Sequence, residues 1–122
     1  MTSDASALAR TPQPPYWAVV FTSLRTLADE PGYARTAERM VELARRQVGY
    51  LGHESARDER GLGITVSYWE SLDAIERWRT DQEHLEAQRL GRERWYACFR
   101  LRVCRVEREH GCEAPSRAST SR

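Results

Sequence analysis

The spacing of apolar and polar residues changes along the chain in a way that separates strands from helices. Tyr16 to Arg25 is rich in aromatic and β-branched residues, which is typical of a largely buried strand. Between Gly32 and Gln47 the apolar residues recur every three or four positions, as they do on one face of a helix. These two patterns continue and predict a strand, a helix, two strands, a helix and a strand, at 16–25, 32–47, 50–57, 62–69, 72–89 and 95–106.

Turn and cap signals support this order. Asp58 to Gly61 forms a turn that predicts a hairpin between the second and third strands. Ser71 stands where an N-cap is expected before the second helix. The order is the split β-α-β arrangement, so we expect an α+β, ferredoxin-like β-α-β-β-α-β fold with an antiparallel sheet and two helices on one face.

The first strand carries apolar residues on both of its faces. Trp17 and Val19 share one face, and Ala18 and Val20 share the other. A sheet with one solvated face alternates cleanly between apolar and polar residues, and this strand does not. Two helices cover only one face, so we expect a second copy of the chain to cover the other, as a homodimer.

Length and charge set further limits. The 122 residues fit one domain, predicted at 16–108, with flexible tails at 1–15 and 109–122. The net charge of +1 gives no reason to expect nucleic acid or a membrane surface as a partner. No apolar run reaches the roughly 20 residues that span a bilayer, and the N-terminus lacks the apolar core of a signal peptide. We therefore expect a cytoplasmic protein.

The cysteines and histidines give no metal motif. Cys98 and Cys104 lie on one face of the last strand, too far apart for a disulfide, and are predicted to be small buried hydrophobes. His53, His84 and His110 are scattered and match no ligand spacing, so no metal site is expected.

The segments GITVSYWESLDAIERW and EHLEAQRLGRERWY resemble the antibiotic biosynthesis monooxygenase family. The shared features are a strand that ends in Trp-Glu, a short capped helix with an aromatic residue, and a His-containing segment before the last strand. The resemblance covers residues 16–108 and implies a dimeric α+β barrel with a pocket between the sheet and the second helix. It also implies oxygenation of activated aromatic or polyketide substrates, often with no metal or bound cofactor. A related branch of the family binds and degrades haem.

The chain departs from this family pattern at one residue type. The characterised oxygenases and the characterised members of the haem branch use an Asn beside a Trp. This chain contains no Asn. By rough alignment, Thr22 stands at the Asn position of the haem branch, and Gln88 stands at its haem-ligand position. His84 lies one turn before Gln88. Haem degradation of the known type is therefore not expected, but haem bound through a shifted ligand stays an alternative.

His84 is the predicted catalytic residue. On one continuous helix, Asp81, His84 and Gln88 form a line beside the apolar stripe that contains Trp78. A histidine oriented by a carboxylate can accept a proton from an acidic phenol or enol. The alternative is a partly exposed histidine in a polar segment of the helix.

Three aromatic residues are candidates for the walls of a substrate site. Trp69 and Trp78 offer flat apolar surfaces to a planar molecule, and Tyr68 offers a hydroxyl donor. The alternative for each is core packing.

Three functions follow from these observations. The first is a cofactor-independent monooxygenase that acts on an aromatic or polyketide-like small molecule, with His84 as the base. The second is a haem-binding protein, and the third is a dimeric module that binds a ligand without catalysis.

Overall fold

The computed structural model describes residues 7–112 and contains four strands and three α-helices. Of the two predicted tails, residues 1–6 and 113–122 lie outside the described residues. A π-helical turn, Gly91–Trp95, joins the last helix to the last strand. The elements are β1 (Tyr16–Arg25), α1 (Glu30–Arg45), β2 (Tyr50–Arg57), β3 (Leu62–Trp69), α2 (Leu72–Arg79), α3 (Gln82–Leu90) and β4 (Tyr96–Val106).

The four strands form one antiparallel sheet in the order β2-β3-β1-β4. This order confirms the predicted ferredoxin-like α+β fold. The predicted hairpin is formed by β2 and β3, and Asp58 organises its turn by accepting hydrogen bonds from the backbone nitrogens of Arg60 and Leu62, both at 2.9 Å. The long-range register places Trp17 opposite Trp69.

The second helix was predicted as one piece, and this prediction was wrong. It ends at Arg79, and α3 begins at Gln82. The hydroxyl of Thr80 donates to the carbonyl of Glu76 (2.9 Å), and the carboxylate of Asp81 accepts from the backbone nitrogen of His84 (3.1 Å). Side chains of this type compete for backbone hydrogen bonds, so two of them in succession end one helix and cap the next. Ser71 caps α2 as predicted.

The helices α1 and α2 pack against the same face of the sheet. In α1 the ring of Tyr33 packs against the guanidinium of Arg25, 3.6 Å from its carbon, and in α2 Trp78 lies 6.2 Å from Trp69. Arg25 and Trp17 have the same strand parity, and Trp17 pairs with Trp69. We call this side, with Trp17, Val19, Phe21 and Ser23 of β1, the helix face.

The opposite side, with Ala18, Val20, Thr22 and Leu24 of β1, is the open face. Its neighbours on β3 include Leu62 and Ile64, which are 48% and 46% exposed. Cys98 and Cys104 pair with Leu24 and Ala18 on this face. Both cysteines are exposed in the single chain, so their predicted burial was wrong.

The helices are short, with 16, 8 and 9 residues. Within the described part of the chain, none of them has the length and apolar character needed to cross a lipid bilayer.

Candidate functional site

His84 lies in the first turn of α3 and folds back onto the end of α2. Its Nδ1 is 2.8 Å from the carbonyl oxygen of Trp78. A carbonyl can only accept a hydrogen bond, so the proton of the neutral ring is on Nδ1. The Nε2 atom therefore carries a lone pair and is the acceptor of the ring.

The environment of His84 favours this neutral form. The ring stacks on the indole of Trp78, with centroids 4.0 Å apart and an angle of 17° between the planes. Burial lowers the pKa of His84 below its ordinary value of 6.5, and the hydrogen bond to Trp78 and the charge of Asp81 oppose this only in part. Among residues 7–112, Nε2 has no hydrogen-bond partner, and the residue as a whole is half-buried.

The stack continues into the sheet as a row of rings. Trp78 lies 6.2 Å from Trp69 at an angle of 26°, and Trp69 meets the ring of Tyr50 edge to face at 5.5 Å. Trp69 is 0% exposed, and its Nε1 donates to the hydroxyl of Ser67 at 2.9 Å. We call His84, Trp78, Trp69 and Tyr50 the aromatic row. It joins the helix break to the core of the sheet.

The remaining predicted residues of the second helix also meet here. Asp81 contacts the backbone nitrogen of His84, so it positions the residue through the helix cap. This differs from the predicted line along one helix, in which the carboxylate faces the ring. The side-chain amide of Gln88 donates to the carbonyl of Arg79 at 3.3 Å and lies 3.5 Å from Nδ1 of His84. Gln88 therefore ties α3 to the end of α2.

Tyr68 and Thr22 do not join this site, because both belong to the open face. The hydroxyl of Tyr68 donates to Glu54 at 2.6 Å, and burial together with Glu54 raises the pKa of Tyr68. Thr22 pairs with Ile64 across the sheet. Since neighbouring residues of a strand point to opposite faces, Tyr68 cannot share a pocket on the helix face with Trp69.

A second polar cluster, which was not predicted from the sequence, lies at the Tyr50 end of the aromatic row. The hydroxyl of Tyr50 is 2.5 Å from Nδ1 of His53, and both residues border a cavity of about 560 Å³. Residues three apart in a regular strand point to opposite faces, but Leu51 is an extra residue in the pairing of β2 with β3. Tyr50 and His53 therefore pair with Trp69 and Ser67 and share the helix face. Gly52 inside a strand was the signal for such a bulge.

Metal ligands do not cluster in the described part of the chain. Within residues 7–112, no group of three or more His, Cys, Asp or Glu side chains is arranged to hold a metal ion. The chemistry available at the aromatic row is that of a neutral imidazole beside flat apolar rings.

These features define a small α+β protein with a histidine–tryptophan site at a break between two helices. The profile of the family described as "Antibiotic biosynthesis monooxygenase" matches residues 28–90. The uncharacterised protein YqjZ of Bacillus subtilis is 51% identical over 102 residues, which cover 84% of this chain and 89% of YqjZ. The chain belongs to the antibiotic biosynthesis monooxygenase family.

Solved structures share the fold at low sequence identity. A mutant of SnoaB, a cofactor-independent oxygenase from Streptomyces nogalater, aligns with a TM-score of 0.68 and 16% identity, over 80% of this chain and 98% of that one. The protein PA3566 of Pseudomonas aeruginosa aligns with a TM-score of 0.63 and 17% identity, over 81% of this chain and 99% of that one. At these identities the likeness establishes the fold.

Proposed function

We propose that this chain is a cofactor-independent monooxygenase, or a related tailoring enzyme, that acts on an aromatic or polyketide-like small molecule. The observation that carries the proposal is the state of His84. Its Nδ1 proton is held by the carbonyl of Trp78, and its Nε2 lone pair has no partner among residues 7–112. A neutral imidazole in this state is a general base at physiological pH.

The proposed reaction begins when Nε2 of His84 removes a proton from an acidic phenol or enol. The substrate anion then transfers an electron to dioxygen, and the two radicals combine into a hydroperoxide. Loss of water from the hydroperoxide leaves a carbonyl group. In total a CH₂ group and O₂ become a C=O group and H₂O, so no external reductant is required.

The surroundings of His84 support each part of this role. The imidazolium formed by proton abstraction keeps its Nδ1–H on the Trp78 carbonyl, 2.8 Å away, which stabilises the developing positive charge. The indole of Trp78 covers one face of the ring at 4.0 Å and keeps water from it. Trp69, fully buried behind Trp78, fixes the position of the indole.

Oxygen uptake with a panel of hydroxylated anthrones, naphthols and 1,3-diketones tests the proposal. On any member that is turned over, His84→Gln should lower kcat by at least about 100-fold, the usual contribution of a general base. His110→Gln is the matched control, because His110 is exposed and lies outside every element. Full turnover in His84→Gln would show that His84 is not the base. Binding of panel members without any oxygen uptake would instead indicate a non-catalytic ligand-binding module.

A haem-binding protein is the second candidate, and the same observation favours it. Imidazole binds a metal through one nitrogen while the other donates to a carbonyl, which is the state of His84. Gln88 stands, by rough alignment, at the haem-ligand position of the haem-binding branch. Here its side-chain amide donates a hydrogen bond to the carbonyl of Arg79. Hemin titration separates the candidates. If the protein is a cofactor-independent oxygenase, hemin should give no Soret band that depends on His84. A saturable Soret band that is lost in His84→Gln would favour the haem-binding protein.

A further inference from the structure

Three oxidisable rings of the aromatic row follow one another from His84 into the sheet. Trp78 stacks on His84 with the ring centroids 4.0 Å apart. Trp78 lies 6.2 Å from Trp69, and Trp69 meets Tyr50 at 5.5 Å. Indole and phenol rings lose single electrons more readily than other aromatic side chains. Because electron tunnelling weakens exponentially with distance, contact between successive rings favours rapid electron transfer along the row.

The last ring of the row has a proton acceptor beside it. The hydroxyl oxygen of Tyr50 is 2.5 Å from Nδ1 of His53. Burial and the charge of Arg45 lower the pKa of His53 below 6.5, so its ring is neutral near pH 7. A neutral imidazole nitrogen is a stronger base than a phenol oxygen, so the hydroxyl is the donor of this short bond. A phenol that loses an electron becomes a strong acid, and His53 is placed to receive its proton.

This combination of contacts distinguishes Tyr50 from the other tyrosines. Of the five tyrosines in the chain, Tyr50 contacts the ring of Trp69 and Tyr33 contacts the ring of Trp95. The hydroxyl of Tyr33 accepts a hydrogen bond from Arg57 at 3.4 Å, and a guanidinium cannot take up a proton. Among residues 7–112, the remaining three make no ring contact with a tryptophan: Tyr16, Tyr68 and Tyr96.

We propose that the aromatic row is an electron-transfer path, which carries an oxidising equivalent from the His84 site to Tyr50 while His53 takes up the phenolic proton. The path protects the His84 site from radicals. The half-buried Tyr50, at the edge of the cavity of about 560 Å³, holds the oxidising equivalent where a small reductant can reach it.

The oxidant is an organic peroxyl radical, which forms when a substrate radical at His84 adds dioxygen; this origin rests on the proposed function. One electron moves from Tyr50 through Trp69 and Trp78 to the peroxyl radical. The resulting peroxide anion takes a proton from the imidazolium of His84, and the proton of Tyr50 moves to His53. The products are a hydroperoxide, neutral His84, protonated His53 and a phenoxyl radical on Tyr50. A thiolate then restores Tyr50 by giving one electron, while His53 returns the proton.

Flash photolysis of the full chain tests the path without substrate or dioxygen, so its outcome is independent of any oxygenase activity. The oxidant is photogenerated tris(bipyridine)ruthenium(III), and transient absorption follows the indole and phenoxyl radicals. We expect the indole radical to decay while the phenoxyl radical rises at the same rate, and this rate should not change with protein concentration. An indole radical that decays without a phenoxyl rise, or a rise that is second order in protein, would overturn the proposal.

Variants locate the end of the path. Tyr50→Phe should abolish the phenoxyl rise and prolong the life of the indole radical. Tyr33→Phe is the matched control, because Tyr33 also contacts a tryptophan but has no base at its hydroxyl. His53→Gln should slow the phenoxyl rise at least about tenfold, because an amide is a poor proton acceptor. A phenoxyl rise that persists in Tyr50→Phe, or is lost equally in Tyr33→Phe, would contradict the assignment.

A further pair of variants tests transfer through the row. Trp69→Phe should abolish the phenoxyl rise, because a phenyl ring is not oxidised under these conditions. Trp17→Phe is the matched control, since Trp17 is half-buried, lies opposite Trp69 on the neighbouring strand and is outside the row. An unchanged phenoxyl rise in Trp69→Phe would mean that Tyr50 is oxidised directly and would overturn the path. If Trp69→Phe does not fold, Trp78→Phe, at the half-buried start of the path, gives the same test.

Discussion

The imidazole of His84 lies flat against the indole of Trp78, with 4.0 Å between the ring centroids, and its Nδ1 bonds to the carbonyl of the same residue at 2.8 Å. In a continuous helix, residues six apart point about 120° away from each other and cannot stack. The break at Thr80 and Asp81 makes both contacts between His84 and Trp78 attainable. The site is thus a consequence of the helix ending early.

The stability of the protein should fall as the pH is lowered. Burial lowers the folded-state pKa of His84 below 6.5, so the unfolded chain takes up the proton first. The stabilisation is fully present above about pH 6.5 and is lost as the pH falls toward the folded-state pKa. Urea denaturation at several values between about pH 7.5 and pH 5.5 measures this loss.

Replacement of the histidine gives the control for this pH dependence. His84→Gln should flatten the decline of the unfolding free energy with falling pH. Part of the decline should stay, since burial and Arg45 also lower the pKa of His53. An unchanged slope in His84→Gln would mean that the His84 ring titrates normally in the folded protein.

Replacing the N-caps of α2 and α3 distinguishes an effect on stability from an effect on catalysis. Asp81→Ala and Ser71→Ala each remove an N-cap hydrogen bond of 3.1 Å, and each should cost about 1 kcal/mol. Only Asp81 holds the backbone of His84, so Asp81→Ala should also lower kcat on a proven substrate. Urea denaturation and oxygen uptake measure the two effects. Equal kcat in both variants would show that the cap does not position His84.

The hydrogen bond between Trp69 and Ser67 should contribute to stability. Ser67→Ala leaves the indole N–H of the fully buried Trp69 without its acceptor, which should cost about 1–3 kcal/mol. In a Trp69→Phe background the same serine replacement should cost little, because no donor is left unpaired. Ser55→Ala, which breaks an exposed bond to Thr65, is the control at below about 0.5 kcal/mol. Additive costs in the double variant would contradict the coupling.

The open face should bury its apolar residues against a second copy of the chain. Ile64 is 46% exposed there, so Ile64→Glu should convert a homodimer into a monomer, because a buried unpaired carboxylate is strongly unfavourable. Leu27→Glu is the control, since Leu27 is 92% exposed in the loop before α1. Light scattering coupled to size exclusion gives the mass. A dimer that survives Ile64→Glu would place the interface elsewhere.

Some contacts of the candidate site could be predicted from the sequence, and others could not. Alternation along a strand already separates Tyr68 from Trp69, so their placement on opposite faces was predictable. The stripe of Trp78 and Leu85 favoured one continuous helix and outweighed the local signals of Thr80 and Asp81. The meeting of Tyr50 with His53 required the bulge at Leu51, which period-two alternation does not reveal.

The sequence by itself determined the order of the four strands, the hairpin turn at Asp58 and the cap at Ser71. These features depend on residues close together in the chain, where periodicity and hydrogen bonding of neighbours decide the conformation. The tertiary structure alone decided that His84 stacks on Trp78, that Tyr50 reaches His53 and that Trp17 pairs with Trp69. Each of these contacts depends on a break, a bulge or a long-range register, and one residue of shift in any of them turns a side chain to another face.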